Sequence, residues 1–350
     1  MKEKQESPIV RLLLIVLGTV FFVKLAVFFT ELHMGSTSEF PRSTMELFAN
    51  LAAAPPYKWR ILVPYIVHVL HHSYGLNYYL CFYYIEVICW LVLFACAHQA
   101  LTRLRLAVDR PLLVLLSTTV AIPLSFTLVT PLVYFQTGTN RLDTVLQYYV
   151  PYDIPSAMLV FAAYLLLLML RERYSNNTLA LYLFVYVVSS INRETTVLFA
   201  FLSYAVLRGR VSKGAGLCLL FGQVAIFALF RGGIYYALTG FIPFMGGEPS
   251  SPYDFMLWVN VNRLTMDAYF KKTLFSYACG GILLYLPFGW SKLSAFNRQA
   301  FWLYCAPVLV MGLVFGVLPE TRIFTELMPL AWIFLIQVIA AKRNGASVKV

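Results

Sequence analysis

Asn192, Arg193 and Glu194 set an amide, a guanidinium and a carboxylate side by side between two apolar runs, TLALYLFVYVV and TTVLFAFLSYAVL. Four other polar features interrupt apolar sequence in a comparable way: Glu31, Arg60 within PPYKWRILVP, Asn140-Arg-Leu-Asp143, and Pro319-Glu-Thr-Arg-Ile-Phe-Thr-Glu326. Charges in or beside hydrocarbon are costly, so they pair with one another or face a polar cavity. An arginine fork makes two parallel charged hydrogen bonds to a phosphate. Arg60, Arg193 and Arg322 at one depth would therefore suit a lipid diphosphate.

Each of these features also has a purely structural account. Arg193 and Glu194 are consecutive and cannot share a helix face, so each must find its partner elsewhere, as residues of a connector do. Asn192 belongs to the same connector. Arg322 and Glu326 are four apart, the spacing of an internal helical ion pair, with Pro319 at the helix start and Glu320 favoured by its positive end. The alternative turns Arg322 into a cavity, with Glu320 or Glu326 orienting it. Tyr57, Lys58, Trp59 and Arg60 fit either interface anchors or headgroup binding.

For acid–base chemistry the first candidate is Glu31. It begins an outer loop, and partial burial there would fit a carboxylate to take a proton from a hydroxyl. Glu39 and then Asp143 stand in reserve. Glu86 and Lys24 lie inside spans, where a structural pair or a transport-associated site would suit either. His68, His71 and His72 do not make a metal site: one lies on an apolar segment and the other two mark its end. No metal is assigned, and a divalent cation, although possible, is not indicated by the sequence. The six cysteines all fall in apolar runs with no CxxC pair, as small hydrophobes rather than a disulfide framework. P-loop, HExxH, GxSxG and dinucleotide signatures are absent from any suitable context.

The composition says what must position these groups. Sixty per cent of the residues are hydrophobic and only 12% are charged, about half the charge a soluble domain carries. Apolar runs long enough to cross a bilayer recur along the chain. The expectation is an all-α, polytopic helical membrane protein with about ten spans, near 10–29, 76–98, 112–133, 155–170, 178–191, 195–207, 214–232, 273–289, 300–317 and 326–341. The first run, Val10 to Phe29, reads as a retained span rather than a cleaved leader. Residues 1–350 form one integral membrane domain, with outer loops at about 30–75, 134–154 and 233–272.

Lysine and arginine orient the spans. Arg103, Arg105, Arg110, Arg171, Arg173, Arg208, Arg210 and Lys213 gather on one side, which becomes the cytoplasmic face, with both termini there. The net charge of +11 is thus a topology signal and calls for no nucleic acid. Asn192–Glu194 becomes the outer turn of a short hairpin, recessed below the lipid surface. Ser43-Thr-Met-Glu46 reads as a capping-box start to a short helix that Pro55-Pro56 ends. ILVPYIVHVL is too short to span and reads as a re-entrant or interfacial helix.

An acid after the first span (Glu31), YKWRILVP in a long first outer loop, and charged outer turns NRE (192–194) and PETR (319–322) together resemble the GT-C superfamily of polytopic glycosyltransferases and its uncharacterised bacterial relatives. That resemblance implies a GT-C-like arrangement in a bacterial inner or cytoplasmic membrane. It also implies transfer of a sugar from a polyprenyl-phosphate-linked donor at the outer face. By that likeness Glu31 or Glu39 would assist acceptor attack, while Arg60, Arg193 and Arg322 would hold the departing phosphate. The chain has no paired DxD or ExD in that loop and no added soluble outer domain. Two other readings stay open: a transporter or flippase of an anionic lipid or glycan intermediate, and a noncatalytic subunit of a cell-envelope polysaccharide assembly system.

Overall fold

The computed structural model describes residues 8–35, 40–52, 60–104, 110–128, 151–239, 282–315 and 321–343, together with Trp258 and Val261. Glu39, Lys58, Trp59, Asn140, Arg141, Asp143, Pro319 and Glu320 lie outside them, as does the side chain of Arg322.

Among the described residues the chain is helical, without a β-strand. In order come α1 (Pro8–Gly35), α2 (Phe40–Ala49), α3 (Leu62–Tyr74), α4 (Tyr78–Arg103), α5 (Arg110–Thr118), α6 (Ala121–Leu128), α7 (Asp153–Glu172), α8 (Asn176–Asn192), α9 (Leu198–Leu207), α10 (Lys213–Thr239), α11 (Ile282–Gly289), α12 (Ala295–Ala300), α13 (Ala306–Phe315) and α14 (Met328–Arg343). A 3₁₀ turn, Glu194–Val197, leads into α9, a second, Thr321–Leu327, leads into α14, and a π turn, Phe301–Cys305, joins α12 to α13.

Among the described residues, five segments are long and apolar enough to cross a membrane: Ile15–Met34, Tyr78–Arg103, Asp153–Glu172, Lys213–Ala237 and Phe324–Ala341. Their burial sorts them. The most apolar windows of α7 and the 324–341 segment are 83% and 78% buried, whereas those of α1 and α10 are 11% and 6% buried. Apolar side chains that do not face protein need a nonaqueous neighbour. α7 and α14 are thus the inner helices, and α1 and α10 present Val16, Val20, Phe28, Phe221 and Leu229 outward, as an integral membrane protein requires. One core, carried by Trp90, Phe94, Phe161, Phe199, Phe296 and Trp332, joins these helices; a smaller one gathers Met34, Met45, Phe48, Val67, Phe82 and Tyr152 at the ends of α1, α4 and α7.

Several boundaries differ from the sequence expectation. α1 continues to Gly35, so Glu31 is a helical residue rather than the start of a loop. α2 begins at Phe40, which places Ser43 inside the helix instead of capping it, and it ends at Ala49 before the two prolines. There Leu51 turns left-handed (φ 56°) and the Ala52 N–H reaches back to the Leu47 carbonyl at 2.8 Å, a helix stop that needs no proline. The expected span 112–133 is broken into α5 and α6. The hydroxyls of Ser117, Thr118 and Thr119 each bond a carbonyl three residues back, at 2.6, 2.7 and 2.6 Å, and a run of such bonds bends a helix.

The short helix expected in ILVPYIVHVL is α3. Its 13 residues reach only about 20 Å. Gly75 closes it in the left-handed conformation (φ 66°), and two residues later Asn77 caps α4, its Oδ1 accepting from the Tyr79 and Leu80 N–H groups at 2.9 and 3.3 Å.

Candidate functional site: a charged cluster around the 192–194 turn

α8 stops at Asn192 because Arg193 leaves the helix in an extended conformation (φ −141°, ψ 145°), and Glu194 then opens the 3₁₀ turn that starts α9. The bend is pinned across its mouth by a 2.8 Å hydrogen bond between the Ser189 and Thr196 hydroxyls. The hairpin expected here is present. Its turn is buried in protein, with Asn192 and Arg193 0% and 4% exposed.

The first turn of α7 receives it. Arg193 Nη2 donates to Asp153 Oδ1 at 2.8 Å, and its Nε donates to Ser156 Oγ at 2.9 Å. Asn192 Nδ2 donates to the same Ser156 oxygen at 2.8 Å, while that hydroxyl donates to the Tyr152 carbonyl at 2.5 Å. A serine hydroxyl offers one proton and two lone pairs, so Ser156 is fully used. Pro155, in the first turn of α7, withholds an N–H that the helix would not have bonded there. The sequence YDIPS thus builds a receptor for Asn192 and Arg193.

Glu194 faces the other way and lies between two guanidiniums. Arg231, from α10, bonds its Oε1, and Arg60, just ahead of α3, places Nε 3.4 Å from its Oε2. Burial works against the charged form, but Arg231, Arg60 and Arg193 outweigh it and hold the carboxyl well below the usual carboxylate range, at about 2. Arg60 and Arg193 also share one aromatic platform: their guanidinium carbons lie 4.9 and 5.3 Å from the Tyr152 ring centroid. The ring's negative face favours cations there.

Glu326 completes the cluster from the turn before α14, accepting the Thr195 hydroxyl at 2.8 Å. Thr321–Leu327 is a 3₁₀ turn where the sequence spacing assumes an α-helix; the expected pairing of Arg322 with Glu326 falls on a side chain outside the described residues. With three residues per turn, positions four apart no longer lie one above the other.

The cluster has a sealed side and an open one. The side chains of Arg193 and Asp153 are 5% and 3% exposed, against 21% for Arg60, 17% for Glu194 and 12% for Arg231. Arg193 and Asp153 are thus the sealed pair of the cluster, and Arg60, Glu194 and Arg231 its partly exposed members.

Of the residues singled out by sequence, Arg60, Asn192, Arg193, Glu194 and Glu326 come together. Glu31 is exposed at the end of α1 and within hydrogen-bonding reach of Tyr83 on α4. Two residues on, His33 turns inward, where its Nδ1 lies 2.7 Å from Glu86 Oε1, a buried pair joining α1 to α4. The histidines of α3 are tied locally: His68 Nδ1 to the Ala49 carbonyl at 2.8 Å, His71 Nδ1 to that of Leu76 at 2.7 Å, and His72 Nε2 to Asn50 Oδ1 at 3.1 Å. Among the described residues no group of three His, Cys, Asp or Glu side chains is placed to hold a metal ion.

Sequence reasoning passed over Asp153, Ser156, Tyr152 and Arg231. Arg231 had a visible signal, a guanidinium set in FALFRGGIYY as Arg193 is set between its own apolar runs. No protein-family model, curated protein or solved structure matches the chain.

Proposed function

We propose that this protein transfers a sugar from a polyprenyl-phosphate-linked donor to an acceptor at the outer face of the membrane. The observation that carries the proposal is the gathering of Arg60, Arg193 and Arg231 around Tyr152 and Glu194, with Arg60 and Arg231 on its accessible side. Arginine forks match phosphate oxygens, and a fixed positive site steadies a phosphate as it leaves an anomeric carbon. Membrane helices carry such a cluster only against a large desolvation cost.

In this scheme the donor's isoprenoid chain lies against the outer helices and its phosphate meets Arg60 and Arg231. Arg193, bound to Asp153, holds the turn at its depth, and Arg322 extends the positive set. Glu31, an exposed carboxylate near the end of α1, takes the acceptor hydroxyl's proton as that oxygen attacks the anomeric carbon. The bond from that carbon to the phosphate oxygen breaks, and the electron pair leaves with the polyprenyl phosphate. The scheme keeps about ten crossings in a GT-C-like arrangement, with both termini cytoplasmic.

The test is a transfer assay on purified full-length protein in nanodiscs, supplied with a panel of polyprenyl-phosphate sugars and glycan acceptors. The expected result is release of polyprenyl phosphate coupled to a lengthened acceptor. Movement of intact lipid-linked sugar across a vesicle bilayer without bond cleavage would replace transfer with flipping.

A further inference from the structure

Glu194 occupies the position that a phosphate would take. Its two oxygens face two guanidiniums that come from separate parts of the chain, Arg231 on α10 and Arg60 ahead of α3. The fit to Arg60 is incomplete. At 3.4 Å the pairing is electrostatic, and the buried Arg60 Nε has no hydrogen-bond partner. A buried guanidinium N–H without an acceptor is a cost that a better-shaped anion relieves.

The two neighbouring acids differ in their freedom to move. Asp153 is on a long buried helix and locked to Arg193. Glu194 is the first residue of a four-residue 3₁₀ turn behind an extended residue, and its side chain is 17% exposed. A change of its rotamers moves no helix.

We infer that Glu194 is an internal stand-in anion. It holds Arg60 and Arg231 apart and ready, and a phosphate monoester or diester binds by displacing its carboxylate. The inference rests on the assignment of these arginines to phosphate and adds both the class of ligand and the residue that competes with it. It makes Glu194 a negative regulator of binding rather than a phosphate ligand, and Arg231 a ligand alongside Arg60.

Binding of farnesyl phosphate and of inorganic phosphate to the full-length protein in phosphate-free dodecyl maltoside micelles tests this without sugar or acceptor. Glu194→Gln should bind farnesyl phosphate at least about tenfold more tightly than the wild type, and adding Arg231→Gln should remove the gain. A gain confined to farnesyl phosphate identifies a lipid headgroup as the source; an equal gain for inorganic phosphate identifies the free ion. Glu194→Asp, which withdraws the carboxylate by one methylene while keeping its charge, is the second variant and should also bind more tightly. Unchanged or weaker binding of both probes by whichever variant elutes as a folded species overturns the inference. Tighter binding with no sugar transfer leaves the inference standing and removes the transferase reading; transfer by the wild type with no gain in the variants does the reverse.

Discussion

Arg193 is bound to Asp153 across the joint between two helices, Nη2 to Oδ1 at 2.8 Å, although 40 residues separate them in the chain. The pair fixes the end of α8 on the start of α7, the most buried of the long apolar helices. The placement of Glu194 hangs on that joint, because it follows Arg193 directly.

Removing one partner should therefore unseat the turn. Asp153→Asn leaves Arg193 buried without its counter-charge, a loss of about 3–5 kcal/mol. The double variant Asp153→Asn/Arg193→Gln should cost less than the sum of the two singles, because neither charge is then stranded. Thermal unfolding of the detergent-solubilised protein, followed by size-exclusion elution, measures both.

Glu194 gives the fold an acid-sensitive component. Its folded pKa lies below its ordinary value near 4.5, at about 2, so its stabilisation is complete above the ordinary value and is lost as pH falls through that window. The unfolding temperature should drop on acidification from pH 5 toward 3, and it should drop less in Glu194→Gln. Equal acid sensitivity in the two proteins would contradict this.

Packing near the opposite end of the chain offers an independent check of the helix arrangement. A methyl group added at Gly289 would overlap the side chain of Val338, so α11 approaches α14 at a point where only glycine fits. Gly289→Ala should destabilise by about 1–3 kcal/mol, read as a lower unfolding temperature, with donor binding retained in the folded fraction.

Two carboxylates outside the arginine pairings, Glu31 and Glu326, separate catalysis from structure. Glu31→Gln should reduce transfer about a hundredfold or more, the range of a lost general base, with membrane abundance unchanged. Glu326→Gln keeps an oxygen for the Thr195 hydroxyl and should transfer within a few-fold of the wild type. Near-normal turnover in Glu31→Gln would remove Glu31 as the base.

The sequence carried the helical membrane class and the hairpin bend at 192–194, because both follow from local signals: hydropathy, and charges that interrupt it. It also picked out Arg60 and Arg193, which are conspicuous for the same reason. It did not say which acid each arginine meets. Asp153 was passed over, and its role depends on a serine and a tyrosine beside it that have no charge to mark them. Local backbone form was equally hidden: the sequence reading assumed α-helical spacing over 319–326, and residues 321–327 form a 3₁₀ turn. Ser43 showed the same weakness, since a capping box is a pattern that tertiary contacts can place inside a helix.

The central claim is that a lipid-linked sugar phosphate docks on the arginines around Glu194. A cryo-electron microscopy structure of the full chain in nanodiscs with a non-hydrolysable polyprenyl-phosphate sugar measures that most directly. The account predicts phosphate oxygens within hydrogen-bonding distance of Arg60 and Arg231, with the Glu194 carboxylate turned away. A donor phosphate bound elsewhere, with Glu194 still bridging the two arginines, would contradict it.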